Sequence, residues 1–344
     1  MRADGYRVGV LGATGLVGTT ILGVLIERGF PVTELVPFAS ERSVGKPIEW
    51  NGSVLECRAL NEESIQGLDV VLSSAGGSVS AEWTPKIVAA GAVVVDNTSY
   101  WRMHDEVPLV VAEVNPDAAA AHKGIVANPN CSTMQMVVAL KPLYDEAGIE
   151  RLVVSTYQAV SGTGKAAVDG LLEESHAVLH GQEARATVYP HPIAFNALAQ
   201  AGSFAAGDDH TDEERKLINE TRKILGDPGI RVSATCVRVP VVTGHSEAVN
   251  VETKRPLDPE RARELLAAAP GVTVVDDPAA ARYPMAIEAA GKDDVFVGRI
   301  RRDPGNERAL DLWIVSDNLR KGAATNAVQV AELLIERDLL GPRG

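Results

Sequence analysis

The sequence predicts an α/β protein in two domains, and three observations carry that prediction. The first is "YRVGVLGATGLVGTTILGVLIERG": a short apolar run, glycines at 12, 15 and 18, then an apolar helical pattern to about Arg28. The second is the return of strand-like apolar runs that end in small polar residues, "LDVVLSSAGGSVS" at 68–80 and "AVVVDNTS" at 92–99. The third is length. At 344 residues, 45% hydrophobic and 23% charged, the chain has ordinary globular composition and enough residues for about two domains.

Taken in order, residues 7–11 form the first strand and the glycines the turn that follows. Strand, glycine turn and helix in succession open a Rossmann-like dinucleotide-binding domain. Gly12 and Gly15 let the backbone approach a pyrophosphate. The helix N-terminus adds free N–H groups and the positive end of a dipole. The spacing is G-x-x-G-x-x-G rather than G-x-G-x-x-G, and a purely structural turn is the alternative. The second strand, 33–38, runs into "ASERSVGKP". A fold that prefers NAD places Asp or Glu here for the ribose 2′-hydroxyl. Ser40, Arg42 and Ser43 surround a lone Glu41 instead, and Arg with Ser suits a 2′-phosphate, so the cofactor read from this segment is NADP(H), a solvated loop being the alternative. The strands within 68–80 and 92–99 follow, and ligands of open α/β sheets sit at such carboxyl ends. Arg102 lies just past the second: a surface charge or, beside a phosphate-bearing substrate, an anion clamp.

"NPNCSTMQ" (128–135) is the next feature. Pro129 biases Asn128 toward an extended entry, and Ser132 or Thr133 is placed to cap a helix to about Ala147, with a kink at Pro142. Cys131 then lies at or beside a helix N-terminus, a place that favours thiolate over thiol. Cys57 and Cys236 sit in strand-like alternation and read as structural. A nucleophilic cysteine needs a histidine or similar group nearby in space. His245 is the best placed of seven, at the end of the apolar run "CVRVPVVTGHSEAVNVE", with Arg238 seven residues earlier. Strict alternation sends those two to opposite faces, but Pro240 and Gly244 interrupt it. His176 and His180 are spaced i,i+4 without a third ligand of matching spacing, so no metal site is read there. "STYQAVSGTGKAAVDGLLEES" (155–175) carries a second glycine turn that is not a P-loop. Residues 211–227 form a helix with a capping box, Thr211 and Glu214, and on spacing alone Glu220 and Lys223 are a surface ion pair.

Composition excludes other classes. A net charge of −13 argues against nucleic acid, and no apolar run reaches the roughly 18–20 residues that span a bilayer. Residues 1–30 lack a charged segment followed by an apolar run and cleavage site. Three cysteines do not make a disulfide framework, and a reducing cytoplasm follows as the expected compartment.

"GATGLVG", "ASERSVGK", "NPNCSTMQ", "STYQAVSGTGK", "NETRKIL", "RVPVVTGHSE" and "VSDNLRKGAATNA" occur in this order over essentially the whole chain. In that order they make it resemble the aspartate-semialdehyde dehydrogenases of bacterial type. The resemblance implies NADPH-dependent reductive dephosphorylation of L-aspartyl-4-phosphate to L-aspartate 4-semialdehyde, reversible with inorganic phosphate. Such a step belongs to lysine (diaminopimelate), methionine and threonine biosynthesis. It implies that Cys131 forms a thioester, that His245 is the acid–base and that Gln158 orients the substrate. Arg238 then holds the substrate carboxylate, Glu220 its amino group, and Lys223 with Arg102 its phosphate. For the cofactor it selects Thr14, Gly15, Leu16 and Val17, then Arg42 and Ser43, then Ser161, Gly162 and Asn318. It implies a Rossmann-like domain over 1–128, completed by a C-terminal helix over 322–344. An α+β catalytic and dimerisation domain covers 129–321. The assembly it implies is a homodimer, with a dimer of dimers as the larger form. The rivals are an N-acetyl-γ-glutamyl-phosphate reductase and a non-catalytic NADP-binding scaffold. Glyceraldehyde-3-phosphate dehydrogenase shares the chemistry, but its cysteine segment reads differently.

Overall fold

The computed structural model describes residues 5–341. The chain divides into two units, one running up to Asn130 and resuming at Ala323, the other Cys131–Gly322.

The first unit is built on alternating strands and helices. β1 (Tyr6–Leu11), α1 (Leu16–Glu27) and β2 (Val32–Phe38) come first. The hairpin β3 (Pro47–Trp50) and β4 (Ser53–Glu56) turns through Asn51 and Gly52, both at positive φ. An Asn-Gly pair suits that geometry, which matches the twist of the flanking strands. β5 (Val70–Ser73), α2 (Gly77–Ala89), β6 (Val93–Asp96) and β7 (Ile125–Ala127) complete the run. The five-stranded sheet has the order β2-β1-β5-β6-β7 with every pair parallel. Its strands are apolar on both faces because both faces are covered. Val8, Val10, Val70, Leu72, Val93 and Val95 pack with α1 and a closing helix, Asn326–Glu336. On the other face, Val36, Val71 and Val94 pack with Ile87 of α2. The helix expected over 322–344 is a π-turn at Arg320–Thr325 followed by that closing helix, and 342–344 lie outside the described residues.

Two asparagines pin the first unit where the chain leaves and returns. Asn128 donates to Asn97 Oδ1 and to the Ala323 carbonyl. Asn326 donates to Asn128 Oδ1 and the Val110 carbonyl and accepts from Ala112 N–H. Both are buried, so each contact satisfies a group that water cannot reach.

The second unit begins with α3 (Cys131–Ala147), β8 (Ile149–Gln158), α4 (Lys165–Leu179) and α5 (Asp212–Leu225). β9 (Arg231–Arg238), β10 (His245–Thr253), α6 (Pro259–Ala268) and β11 (Val272–Val274) follow. It ends with α7 (Ala286–Ala289), β12 (Val295–Arg302) and β13 (Ala309–Ser316). Its sheet has the order β11-β12-β13-β10-β8-β9, antiparallel at β12/β13, β13/β10 and β10/β8 and parallel at the two edge pairs. The expected kink at Pro142 does not end α3, which continues to Ala147. Nor does Ser132 or Thr133 cap it. Helix geometry starts at Cys131, and both hydroxyl residues are buried in its first turn. The predicted capping box of α5 is present, with Thr211 and Glu214 bonded reciprocally.

Candidate active site

The first turn of the first unit gives the backbone room for close approach. Gly12 has φ +76, and a Cβ there would lie 2.9 Å from the Ser74 carbonyl oxygen. A Cβ on Gly18 would lie 2.1 Å from the Gly12 carbonyl oxygen, so glycine lets α1 seat against its own turn. Thr14 and Gly15 are exposed at the start of α1, Leu16 and Val17 are half-buried, and the first turn carries no acidic residue. Nothing there opposes an anion at the positive end of the helix. Past β2, Ser40, Arg42 and Ser43 lie in a short turn around Glu41–Ser43, with Ser40 and Arg42 exposed. Arg102, also in this unit, is buried and held to backbone, its Nε on the Asn128 carbonyl at 2.9 Å and Nη2 on the Asn97 carbonyl at 2.7 Å.

In the second unit the chemistry-bearing residues gather at strand ends. His245 pairs with Ser316, and Gln158 with Arg238, while the β8/β10 register sets Thr156 opposite Glu247 two residues further in. Ser316, His245, Gln158 and Arg238 therefore form one buried row across β13, β10, β8 and β9. The sequence left the relative placing of His245 and Arg238 open, since Pro240 and Gly244 interrupt the alternation over 236–252. Arg238 and His245 end and begin different strands, and the link between them carries Pro240 and Gly244, at φ +96. That link is fixed from the second glycine turn: Val160 N–H donates to the Val241 carbonyl and Ser161 N–H to the Val242 carbonyl.

α3 lies against this row. Gln135 donates from Nε2 to the His245 carbonyl at 3.4 Å, and its Oε1 accepts from Ser316 Oγ at 3.1 Å. Cys131 precedes Gln135 by four residues, so both are on one face of α3. Cys131 is half-buried, and Gly322 packs on it: a Cβ at 322 would come within 2.8 Å of the Cys131 Cβ. Cys57 and Cys236 are buried, and burial pushes both thiols up.

His245 is fully buried. Its Nδ1 accepts the Ala159 backbone N–H at 3.0 Å, and its Nε2 has no hydrogen-bond partner among the described residues. Burial first, and the Arg238 guanidinium second, hold the ring well below its ordinary pKa. A Cβ on Gly162 would lie 3.2 Å from both Cε1 and Nε2 and 3.3 Å from Arg238 Nη1, so glycine leaves room beside both side chains. Arg238 is held at one end by Nη1 on the Ala159 carbonyl at 2.7 Å, and its Nε has no partner among the described residues. Gln158 Nε2 donates to Thr156 at 3.3 Å. Asn318 accepts Gly244 N–H at 2.9 Å and donates from Nδ2 to Ser161 Oγ at 3.0 Å, which ties the link to the second glycine turn. Glu220 overturns its spacing-based reading as a surface charge: it is buried on α5 beside Leu217 and Ile224, with Lys223 half-buried. His176 and His180 stack at 4.1 Å, both exposed at the C-terminal end of α4.

Sequence reasoning missed Gln135 and Glu247. Glu247 is fully buried one row in from His245, and neither oxygen has a hydrogen-bond partner among the described residues. Burial pushes its carboxyl well above the ordinary range, with Gln135 acting weakly the other way. A pattern of His, one residue, then Glu on a strand would have flagged it, because alternate residues share a face. The folded chain keeps a proton on Glu247 that the unfolded chain loses above its ordinary pKa. Stability therefore falls as pH rises through that window. In Glu247→Gln the fall is absent, so its Tm should gain on the parent's as pH is raised from about 5 to about 8. Parallel Tm curves for the two proteins would show that Glu247 is ionised in the fold.

Comparison with known proteins places this geometry. The family model for the "Semialdehyde dehydrogenase, NAD binding domain" matches residues 7–122, and that for the "Semialdehyde dehydrogenase, dimerisation domain" matches 140–321. The aspartate-semialdehyde dehydrogenase of Aquifex aeolicus is 56% identical over 340 residues, covering 98% of this chain and 100% of its own. That of Legionella pneumophila is 54% identical, covering 97% of each. The crystal structure of aspartate semialdehyde dehydrogenase II from Vibrio cholerae complexed with ASA superposes with a TM-score of 0.94, at 47% identity, over 97% of this chain and 99% of that one. The Candida albicans enzyme with NADP gives 0.73 at 26% identity, over 97% and 99%. Both family models match in chain order and the relatives align end to end, so this chain belongs to the aspartate-semialdehyde dehydrogenase family.

Proposed function

We propose that this chain interconverts L-aspartyl-4-phosphate and L-aspartate 4-semialdehyde with NADP(H) and inorganic phosphate, as a step of amino-acid biosynthesis. One observation carries the reading. In a chain of this family, the buried row His245, Gln158 and Arg238 lies under a helix whose first residue is Cys131. Cys131 takes the acyl group from phosphate as a thioester, which splits one hard step into two. Gln158 orients that group. Arg238 offers the unpartnered side of its fork to the substrate carboxylate. Glu220 meets the amino group, and Lys223 with Arg102 takes the phosphate.

The first unit's residues fit a dinucleotide. Gly12 and Gly15 clear the backbone, α1 opens toward anions with no acid in its first turn, and Arg42 stands exposed for a 2′-phosphate. Thr14, Leu16 and Val17 belong to the same turn, and Ser40 and Ser43 flank Arg42. Ser161 and Asn318, hydrogen-bonded to each other, and Gly162 beside Ser161 in the second glycine turn are also given to the cofactor. The bound cofactor supplies the hydride.

The chain acts as a homodimer in the cytoplasm under this reading, with a dimer of dimers as the larger form. The sheet face opposite the site supports the dimer. There Ser246, Ala248, Trp313, Tyr283, Pro284 and Met285 line a groove of about 520 Å³. Purified protein should reduce NADP⁺ with L-aspartate semialdehyde only when phosphate is present, and should reduce NAD⁺ far more slowly. Activity confined to N-acetyl-glutamate semialdehyde would select the rival reductase, and inactivity with both would select the scaffold.

A further inference from the structure

β6 and β7 are parallel neighbours, with Asp96 paired to Ala127 at their carboxyl ends. The next residue of each is an asparagine, Asn97 and Asn128, and ligands of such sheets sit just beyond this edge. The two side chains bond to each other, Asn128 Nδ2 donating to Asn97 Oδ1 at 2.6 Å. Their backbone carbonyls hold one cation. Arg102 donates from Nε to the Asn128 carbonyl at 2.9 Å and from Nη2 to the Asn97 carbonyl at 2.7 Å. Nε and Nη2 form one edge of the guanidinium, so these two bonds fix its plane. The turn that carries Arg102 is held as well. Thr98 N–H donates to Asp96 Oδ1 at 2.6 Å, and Trp101 Nε1 to Ser80 Oγ at 2.9 Å.

Each amide in this cluster has one orientation. Asn326 is set by backbone, donating to the Val110 carbonyl and accepting Ala112 N–H. It also donates to Asn128 Oδ1 at 2.6 Å. Asn128 Nδ2 is then the donor to the Ala323 carbonyl at 3.1 Å and to Asn97. Asn97 in turn donates from Nδ2 to the Ser73 carbonyl at 3.0 Å. Both protons and the oxygen of the buried Asn128 amide are engaged, and reversing it would set like groups together at all three contacts. Pinning the returning chain uses the bonds to Ala323 and Asn326. The bond to Asn97 is not part of that return. It ties together the two segments whose carbonyls hold Arg102. We propose that Asn128 is a positioning residue for phosphate binding: its amide, joined to Asn97, sets the two carbonyls that aim the Arg102 guanidinium. This rests on the reading that Arg102 takes the phosphate. Asn128 acts through Arg102 and makes or breaks no bond itself. Guanidinium recognition of phosphate is directional, so a small tilt of the fork weakens it.

The test is phosphate-dependent oxidation of L-aspartate semialdehyde by the full-length protein. Asn128→Ser should raise the KM for inorganic phosphate by about 10- to 100-fold, the scale of a misplaced binding group, and leave the KM for NADP⁺ near the parent value. Asn97→Ser breaks the same bond from its other end and should raise the phosphate KM too, so a folding failure in one variant leaves the other to be measured. Asn326→Ser breaks the opposite contacts of the cluster. It should lower Tm and leave the phosphate KM near the parent value. Arg102→Lys keeps the charge, loses the fork and should raise the phosphate KM by itself. Adding Asn128→Ser to it should raise that constant little further, because residues that act as a unit are not additive. Additive losses overturn the proposal, as does a phosphate KM raised equally by Asn326→Ser; either result leaves Asn128 a structural pin. An unchanged phosphate KM in Asn128→Ser beside a raised one in Arg102→Lys overturns it as well. If Arg102→Lys binds phosphate as the parent does, the phosphate reading of Arg102 has itself failed, and the proposal falls with it.

Discussion

Cys131→Ala should abolish turnover and leave the fold and NADPH binding intact. Losing a covalent nucleophile removes the thioester route altogether, and falls of about 10⁴–10⁶-fold are the usual scale. The fold should survive for a specific reason. The Cys131 contact with Gly322 is made through Cβ, which alanine keeps, and the thiol is only half-buried. Steady-state NADPH formation, thermal melting and cofactor fluorescence separate these outcomes. Acid-quenched parent protein, incubated with aspartyl phosphate and no NADPH, should gain the mass of an aspartyl group on the peptide containing Cys131. A variant that still turned over at an appreciable rate would sink the covalent mechanism.

Arg238→Lys carries the second large effect. The guanidinium is buried, fixed at one end by Ala159 and open at Nε. Such a fork can hold a carboxylate with two parallel bonds, which an ammonium cannot reproduce. Losing one partner of a buried charge pair costs about 2–5 kcal/mol, which is about 30- to 5,000-fold in kcat/KM. The loss should appear in the KM for L-aspartate semialdehyde, while the KM for NADP⁺ stays near the parent value. Equal changes in both constants would argue that Arg238 supports the fold around Ala159 rather than the substrate.

The first unit was legible because its information is local. A strand, a glycine turn and a helix are encoded within about twenty-five neighbouring residues, and the glycine at 18 is required by its contact with the Gly12 carbonyl inside that span. The capping box of α5 was legible for the same reason. The row at the second site was not. It depends on the register of β13, β10, β8 and β9, set by pairings between residues as far apart as Ser316 and His245, or Gln158 and Arg238. Spacing therefore left the placing of Arg238 relative to His245 open, and it put Glu220 on the surface although it is buried on α5. Only the resemblance joined Cys131 to His245 and Arg238. His-x-Glu alternation was the one local signal for Glu247, and Gln135 had none, because its contacts with His245 and Ser316 depend on where α3 lies on the sheet.

The closing helix has a consequence for how the chain is made. Val328, Ala331, Leu334 and Ile335 belong to the same apolar cluster as Val8, Val10 and Ile21. The first unit's core therefore uses side chains from both ends of the chain. During synthesis its early strands emerge long before the helix that covers one face of them, with the whole of Cys131–Gly322 translated in between. Domains commonly fold in the order they leave the ribosome, the N-terminal one first. Here that order cannot be completed. The unit that starts first finishes last, and until then an apolar sheet face waits uncovered.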